Sequence, residues 1–155
     1  MKYELDAIDR ALLANLQRDA SASYADLGRA VGLSVSAVNE RVRKLEAKGA
    51  LTGYTVRVNP VALDRGLLAF VQVSLNDPQH EAAFLKSVTA SPAVLECHTV
   101  TGSYSYLLKV RCRDTGHLHE LLSGVIKATP GITRTETLIA LASLKETAEV
   151  DCKKI

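Results

Sequence analysis

The chain of 155 residues has little of what marks several large protein classes. It carries only three cysteines, Cys97, Cys112 and Cys152, an odd number with no Cys-x-x-Cys pair. That argues against a disulfide framework and for buried or spare thiols in a reducing compartment. Zinc needs clustered ligands, and the four histidines, His80, His98, His117 and His119, do not stand at finger spacing. His117 and His119, two apart, point to different sides of a helix. No metal and no other cofactor is expected. No apolar run reaches the roughly 18 residues that a membrane span needs. The opening Met-Lys-Tyr-Glu-Leu-Asp lacks the apolar core of a secretory signal, so a cytoplasmic home is expected. Charge is nearly balanced, with 19 Lys and Arg against 17 Asp and Glu and a net +2. A strongly basic protein is thereby excluded, although a local basic patch is not.

What is present suffices for a packed core: 47% of residues are hydrophobic and 23% charged, outside the disordered range. The length allows one domain or two small ones. The character of the chain changes near residue 50. Before it, apolar residues recur at helical spacing, beginning with Leu5, Ile8, Leu12 and Leu16, with Asp6 placed to cap the start. A second helix is predicted from Tyr24 to Val31, with Ser23 and Asp26 at capping-box spacing and Gly32 suited to the left-handed stop. Ser34 then caps a third helix from Val35 to Lys48, and Gly49 ends it. Two short helices joined by a tight glycine turn, the second rich in Arg and Lys, are the sequence form of a helix-turn-helix.

On the third helix Val38, Val42 and Leu45 share one face and should pack inward. At 100° per residue Ser36, Glu40, Arg43 and Lys44 point away from that stripe, with Ala37 and Asn39 flanking. Small residues near the amino-terminal end let such a helix sit deep in a major groove about 12 Å wide. Ser34, Ser36, Ala37, Asn39, Glu40, Arg41, Arg43 and Lys44 are therefore the candidate DNA contacts. Arg43 and Lys44 are expected on bases or phosphates, and Arg41 lies nearer the packed face. The modest charge per chain suggests that several chains cooperate.

Leu51–Asn59 alternates Tyr54, Val56 and Val58 against Thr55 and Arg57, a strand pattern placed where a winged helix-turn-helix has its wing. Pro60 ends it. The second half then alternates strands at Leu67–Leu75, Val94–Thr101, Tyr104–Arg113 and Ile132–Leu144 with helices at Gln79–Thr89 and Thr115–Ala128. That order, βαββαβ, is ferredoxin-like. Both helices cover one face of the sheet, yet Leu68, Phe70 and Leu107 fall on the other. The last strand is apolar on both faces at Leu138-Ile139-Ala140-Leu141. So large an apolar patch marks an interface, and self-association is expected. The predicted organisation is a helix-turn-helix domain over 1–50, a wing or hinge strand and linker over 51–66, and a ferredoxin-like domain over 67–155.

Together these motifs resemble the Lrp/AsnC (feast/famine) regulators over essentially the whole chain. The resemblance is carried by Leu5-Asp6-x-x-Asp9-Arg10, Leu13, Leu16-Gln17, Asp26-Leu27, Gly32-Leu33-Ser34-x-Ser36, Arg41-Val42-x-x-Leu45-Glu46, Gly53-Tyr54, Thr101-Gly102 and Pro130-Gly131-Ile132. It implies an α+β chain: a winged helix-turn-helix that binds double-stranded DNA, a hinge strand, and a sheet domain that regulates amino-acid metabolism genes. It also implies homodimers, often tetramers of dimers, that bind a free amino acid between dimers. Gly102, Ser103, Tyr104, Ser105, Leu138 and Ile139 are the implied effector contacts. One position departs from the family pattern. Where the family usually has Asp in this loop, the chain has Ser105, which accepts a hydrogen bond but carries no charge. Weaker or altered effector binding, or none, is expected; alternatively Ser105 merely closes a turn.

No His–carboxylate or Cys–His constellation stands out, so an enzyme is not expected. Tetrapyrrole decarboxylases resemble the same two-domain architecture, but the basic outward face of the third helix argues against that alternative. An architectural protein that wraps DNA with little sequence preference is the other alternative.

Overall fold

Asp6 starts the first helix by satisfying amides that no helical carbonyl can reach. Its carboxylate accepts from the Asp9 N–H at 2.7 Å, and Asp9 returns the bond to the Asp6 N–H at 3.4 Å. The computed structural model describes residues 4–153. In it α1 spans Ala7–Arg18, α2 Tyr24–Val31 and α3 Val35–Ala47. Ser23 and Ser34 cap the latter two, accepting from Asp26 N–H at 3.1 Å and Ala37 N–H at 3.3 Å. Two glycines shape the turn between them. Gly32 adopts φ 71°, the left-handed conformation that costs glycine least. At Gly28 a Cβ would stand 2.5 Å from the Leu33 carbonyl oxygen, so the turn lies directly on α2. Leu12, Leu16, Leu27, Val38 and Val42 form one buried cluster inside the three helices. Each such side chain contributes about 1.5–3 kcal/mol by leaving water.

Two features of this amino-terminal unit differ from the sequence expectations. The segment Leu51–Asn59 alternates as a strand does, but it has no ladder partner among the described residues. A strand exists only with a neighbour to bond, and alternation alone cannot supply one. Tyr54, Val56 and Val58 are accordingly 50%, 81% and 57% exposed. The second difference concerns the carboxy-terminal residues, expected to belong to the sheet domain. From Lys145 onward they cluster instead with the residues up to Arg57. The Gln17 amide pairs with both main-chain groups of Val150, donating to its carbonyl at 2.9 Å and accepting from its N–H at 2.8 Å. Arg10 donates to the Cys152 carbonyl at 3.1 Å, and Arg57 to that of Glu146 at 3.1 Å.

The second unit runs from Val58 to Leu144. A 3₁₀ turn at Pro60–Leu63 leads into β1 (Leu67–Leu75), α4 (Glu81–Ala90), β2 (Val94–Thr99), β3 (Tyr106–Cys112), α5 (Thr115–Leu121) and β4 (Ile132–Ile139). The sheet order is β2-β3-β1-β4 with antiparallel neighbours, which is the ferredoxin-like arrangement. Val71, Val73, Leu108, Val110, Phe84 and Ile126 are fully buried in its core, where the Phe84 and Tyr106 rings stand 4.9 Å apart.

Several boundaries lie inside those the sequence suggests: β2 stops at Thr99, not Thr101, and β3 runs from Tyr106 to Cys112, not from Tyr104 to Arg113. Pro78 opens a separate 3₁₀ turn, so the helix expected from Gln79 begins at Glu81. The helix expected to reach Ala128 stops at Leu121 and continues as one π turn, Leu122–Ile126. The last strand ends at Ile139, not Leu144. Its partner β1 begins at Leu67, and the last bond available is Ala140 N–H to the Leu68 carbonyl at 2.9 Å. Among the described residues, no helix is long and apolar enough to cross a membrane.

Candidate functional site

Helix α3 sorts its residues as the 100° arithmetic requires. Val38, Val42 and Leu45 are buried, Ser36, Glu40, Arg43 and Lys44 are exposed, and Ala37 and Asn39 are half-buried between them. Ser34 remains at the cap, its hydroxyl 3.1 Å from that of Ser36. The cations of this helix have different surroundings. Lys44 pairs with Glu40 at 2.6 Å, one turn away. Arg41 is engaged by two carboxylates, Asp6 at 2.7 Å and Asp9 at 2.8 Å, and so ties α3 to the start of α1. Arg43 is exposed and has no acidic partner among the described residues. Of the three, it offers the most available charge.

Val35 is 53% exposed at the first turn of α3. Sequence reasoning missed it, because its spacing to Val38 and Val42 continues the apolar stripe. The stripe stops being buried one turn before the helix does.

The Arg41 clamp makes a pH prediction. The Asp9 amide, and after it Arg41, hold the Asp6 carboxyl below its ordinary value of 3.8. A carboxyl depressed in the folded state stabilises that state fully above its unfolded value. The contribution is lost as pH falls through the lower, folded value. Acid unfolding followed on the helices should therefore show stability falling below pH 3.8, with Asp6→Asn lowering it at neutral pH and flattening the acid dependence.

The loop between β2 and β3 is the second candidate region. Gly102 takes φ 114°, which a side chain would strain. Ser105 does not project its hydroxyl outward; its Oγ stands 3.4 Å from both the main-chain N and O of Leu75. Tyr104 instead reaches across to β4. Its phenol donates to the Glu136 carboxylate, and that bond, ahead of any desolvation, raises the phenol's pKa. The Arg134 guanidinium lies over the Tyr104 ring, 4.9 Å from its centre, and stands 3.7 Å from Glu136. Arg134 and Glu136 were missing from the sequence expectation. Their only signal is alternation on β4, which does not reveal a contact across a loop.

Of the expected effector residues, Gly102, Ser103, Tyr104 and Ser105 share this loop, but Leu138 and Ile139 stand toward the other end of β4. Arg134 pairs with Ser74 and Leu138 with Phe70, four residues along β1, or about 13 Å. The sheet face that carries Leu138 also carries Phe70, Leu107 and a polar trio, in which Glu96 meets Lys109 at 3.1 Å and His98 at 3.2 Å. Cys112 is buried and Cys97 partly so, and burial raises both thiols' pKa. Among the described residues no three His, Cys, Asp or Glu side chains could hold a metal ion.

A helix-turn-helix with an outward polar and basic helix, followed by a ferredoxin-like domain, defines a DNA-binding regulator with a separate regulatory module. Residues 5–46 match the AsnC-type helix-turn-helix domain, and residues 68–150 match the Lrp/AsnC ligand binding domain. The leucine-responsive regulatory protein of Escherichia coli is 39% identical over 145 residues, covering 92% of this chain and 88% of that protein. The protein of the same name from Klebsiella pneumoniae matches to the same extent. Among solved structures, a Neisseria meningitidis transcriptional regulator in complex with L-methionine aligns with TM-score 0.90 at 27% identity, covering 95% of this chain and 96% of that one. A feast or famine regulatory protein from M. tuberculosis, complexed with L-methionine, gives 0.87 at 35%, covering 95% and 99%. E. coli AsnC gives 0.86 at 30% with the same coverage. The chain belongs to the Lrp/AsnC family of DNA-binding transcriptional regulators.

Proposed function

We propose that this regulator binds pseudo-palindromic DNA as a two-fold dimer or an assembly of dimers. A free amino acid adjusts its affinity, its targets include amino-acid metabolism genes, and it catalyses no reaction. The sorting of α3 carries this reading: its apolar stripe is sealed in the core while Ser36, Arg43 and Lys44 stand in the open. Arg43 is suited to guanine O6 and N7 or to phosphate, Asn39 to adenine, and exposed Val35 to a thymine methyl group. Ser34, Ser36, Ala37 and Glu40 complete the reading surface, and Arg41 supports it from below.

Two observations support self-association. The segment holding Tyr54, Val56 and Val58 is apolar on alternate positions, exposed there, and has no ladder partner among the described residues. The sheet face opposite the helices carries Phe70, Leu107 and Leu138, with Leu138 49% exposed. A dimer about a two-fold axis places two α3 helices about 34–36 Å apart, one turn of DNA. It also offsets the low charge of each chain, since phosphate contacts add across protomers. The amino-acid effector is inferred from the match to a ligand-binding domain and from relatives solved with L-methionine.

Selecting bound fragments from the source genome, with and without each amino acid, tests the proposal. The expected result is a small set of sites sharing an inverted repeat, with one amino acid changing their recovery. Fragments recovered in proportion to their abundance overturn it.

A further inference from the structure

The loop residue where a carboxylate would most simply meet an amino-acid ammonium is Ser105, and its hydroxyl faces the Leu75 backbone. Two opposite charges nevertheless stand beside the loop. Arg134 and Glu136 project from alternate positions of β4 onto the same face, 65% and 48% exposed, with 3.7 Å between Nη2 and Oε2. That separation is well beyond the about 2.7–2.9 Å of a charge-assisted hydrogen bond. Neighbours this exposed gain little from each other. The pair is loose and open to water, yet its two members are held by one side chain: the Tyr104 phenol donates to Glu136, and the Tyr104 ring lies under Arg134.

We infer that Arg134 and Glu136, positioned by Tyr104, read the two charges of a free α-amino acid. Glu136 accepts from the ammonium and Arg134 donates to the carboxylate. Binding exchanges one loose pair for two charge-assisted bonds, and Tyr104 lowers the cost of fixing the long side chains beforehand. The charges that the loop lacks at Ser105 thus come from β4. Selection of the ligand's side chain falls to other groups; Leu138 stands two residues beyond Glu136 on the same face, about 7 Å along the strand. This inference rests on the proposed amino-acid effector and assigns the residues that recognise it.

Calorimetric titration of the full chain with the twenty standard amino acids, L-methionine among them, identifies the ligand. Its des-amino acid and its decarboxylated amine then serve as probes. Glu136→Gln and Arg134→Gln should each weaken binding of the intact amino acid by about 10- to 100-fold. Unfolding midpoints and oligomeric state, measured for each variant, separate a lost ligand contact from a lost fold or interface. The des-amino acid should bind Glu136→Gln as well as it binds the unsubstituted chain, because the partner of Glu136 is already gone. The amine should be equally indifferent to Arg134→Gln. Unchanged affinity in both variants overturns the inference while leaving the amino-acid effector standing. So does a loss in each variant that is the same for intact and truncated ligands. A chain that binds none of the twenty overturns both.

Discussion

Replacing Val42 by Asp should unfold the helix-turn-helix unit and abolish DNA binding while the sheet domain stays folded. Val42 is fully buried among Leu12, Leu16, Leu27 and Val38, and no basic group belongs to that cluster. The substitution removes an apolar contact and leaves a carboxylate either charged without a partner or protonated at a cost. Uncompensated buried charge costs about 3–5 kcal/mol. Whole domains are stable by only about 5–15 kcal/mol, and a three-helix unit this small stands at the low end. The damage should remain local, because the core around Val71, Leu108 and Phe84 shares no residue with the Val42 cluster. Hydrogen exchange on the full chain reads both outcomes together. Amides of α1, α2 and α3 should lose protection while those of β1, β3 and β4 keep theirs. Equal loss in both units would show that the chain folds as one cooperative body.

The second large effect is expected at Arg43. Arg43→Ala should weaken binding to a specific site by about 10- to 100-fold if the guanidinium reads a base edge, with discrimination lost at one position of each half-site. If it meets a phosphate instead, affinity should fall alike on all sequences and the salt slope should shrink by about one. Arg43→Lys separates the cases further, since an ammonium replaces a guanidinium at a phosphate but not at a bidentate guanine contact. Arg41→Ala should behave differently. Arg41 already joins α3 to Asp6 and Asp9, so its loss should lower the unfolding midpoint more than the affinity of the folded molecule. Competition binding on matched and single-mismatch sites, with melting curves for each variant, makes the comparison.

These contrasts also show which parts of the molecule could be read from its residues. Caps and stripes are local: Asp6, Ser23, Ser34, Gly32 and the spacing of Val38, Val42 and Leu45 act within a turn or two, and each stands where expected. The outward direction of Ser36, Glu40, Arg43 and Lys44 followed from the same arithmetic. Pairing is not local. Leu51–Asn59 has the composition of a strand but no ladder partner among the described residues, and β4 ends where β1 begins, a limit set 60 residues or more away in sequence. The double clamp on Arg41 joins residues 35 and 32 positions apart. Tyr104, Arg134 and Glu136 meet only because the sheet register brings the loop to β4. The carboxy-terminal segment clusters with the helical unit for a similar reason, since one glutamine of α1 bonding Val150 leaves no periodic trace.

Equilibrium binding of the full chain to a fragment selected from its genome, measured against random DNA at about 150 mM salt, tests the account most directly. A regulator that reads sequence through α3 should prefer its site by about 10³-fold or more. A preference near one, unchanged by Arg43→Ala, would contradict it.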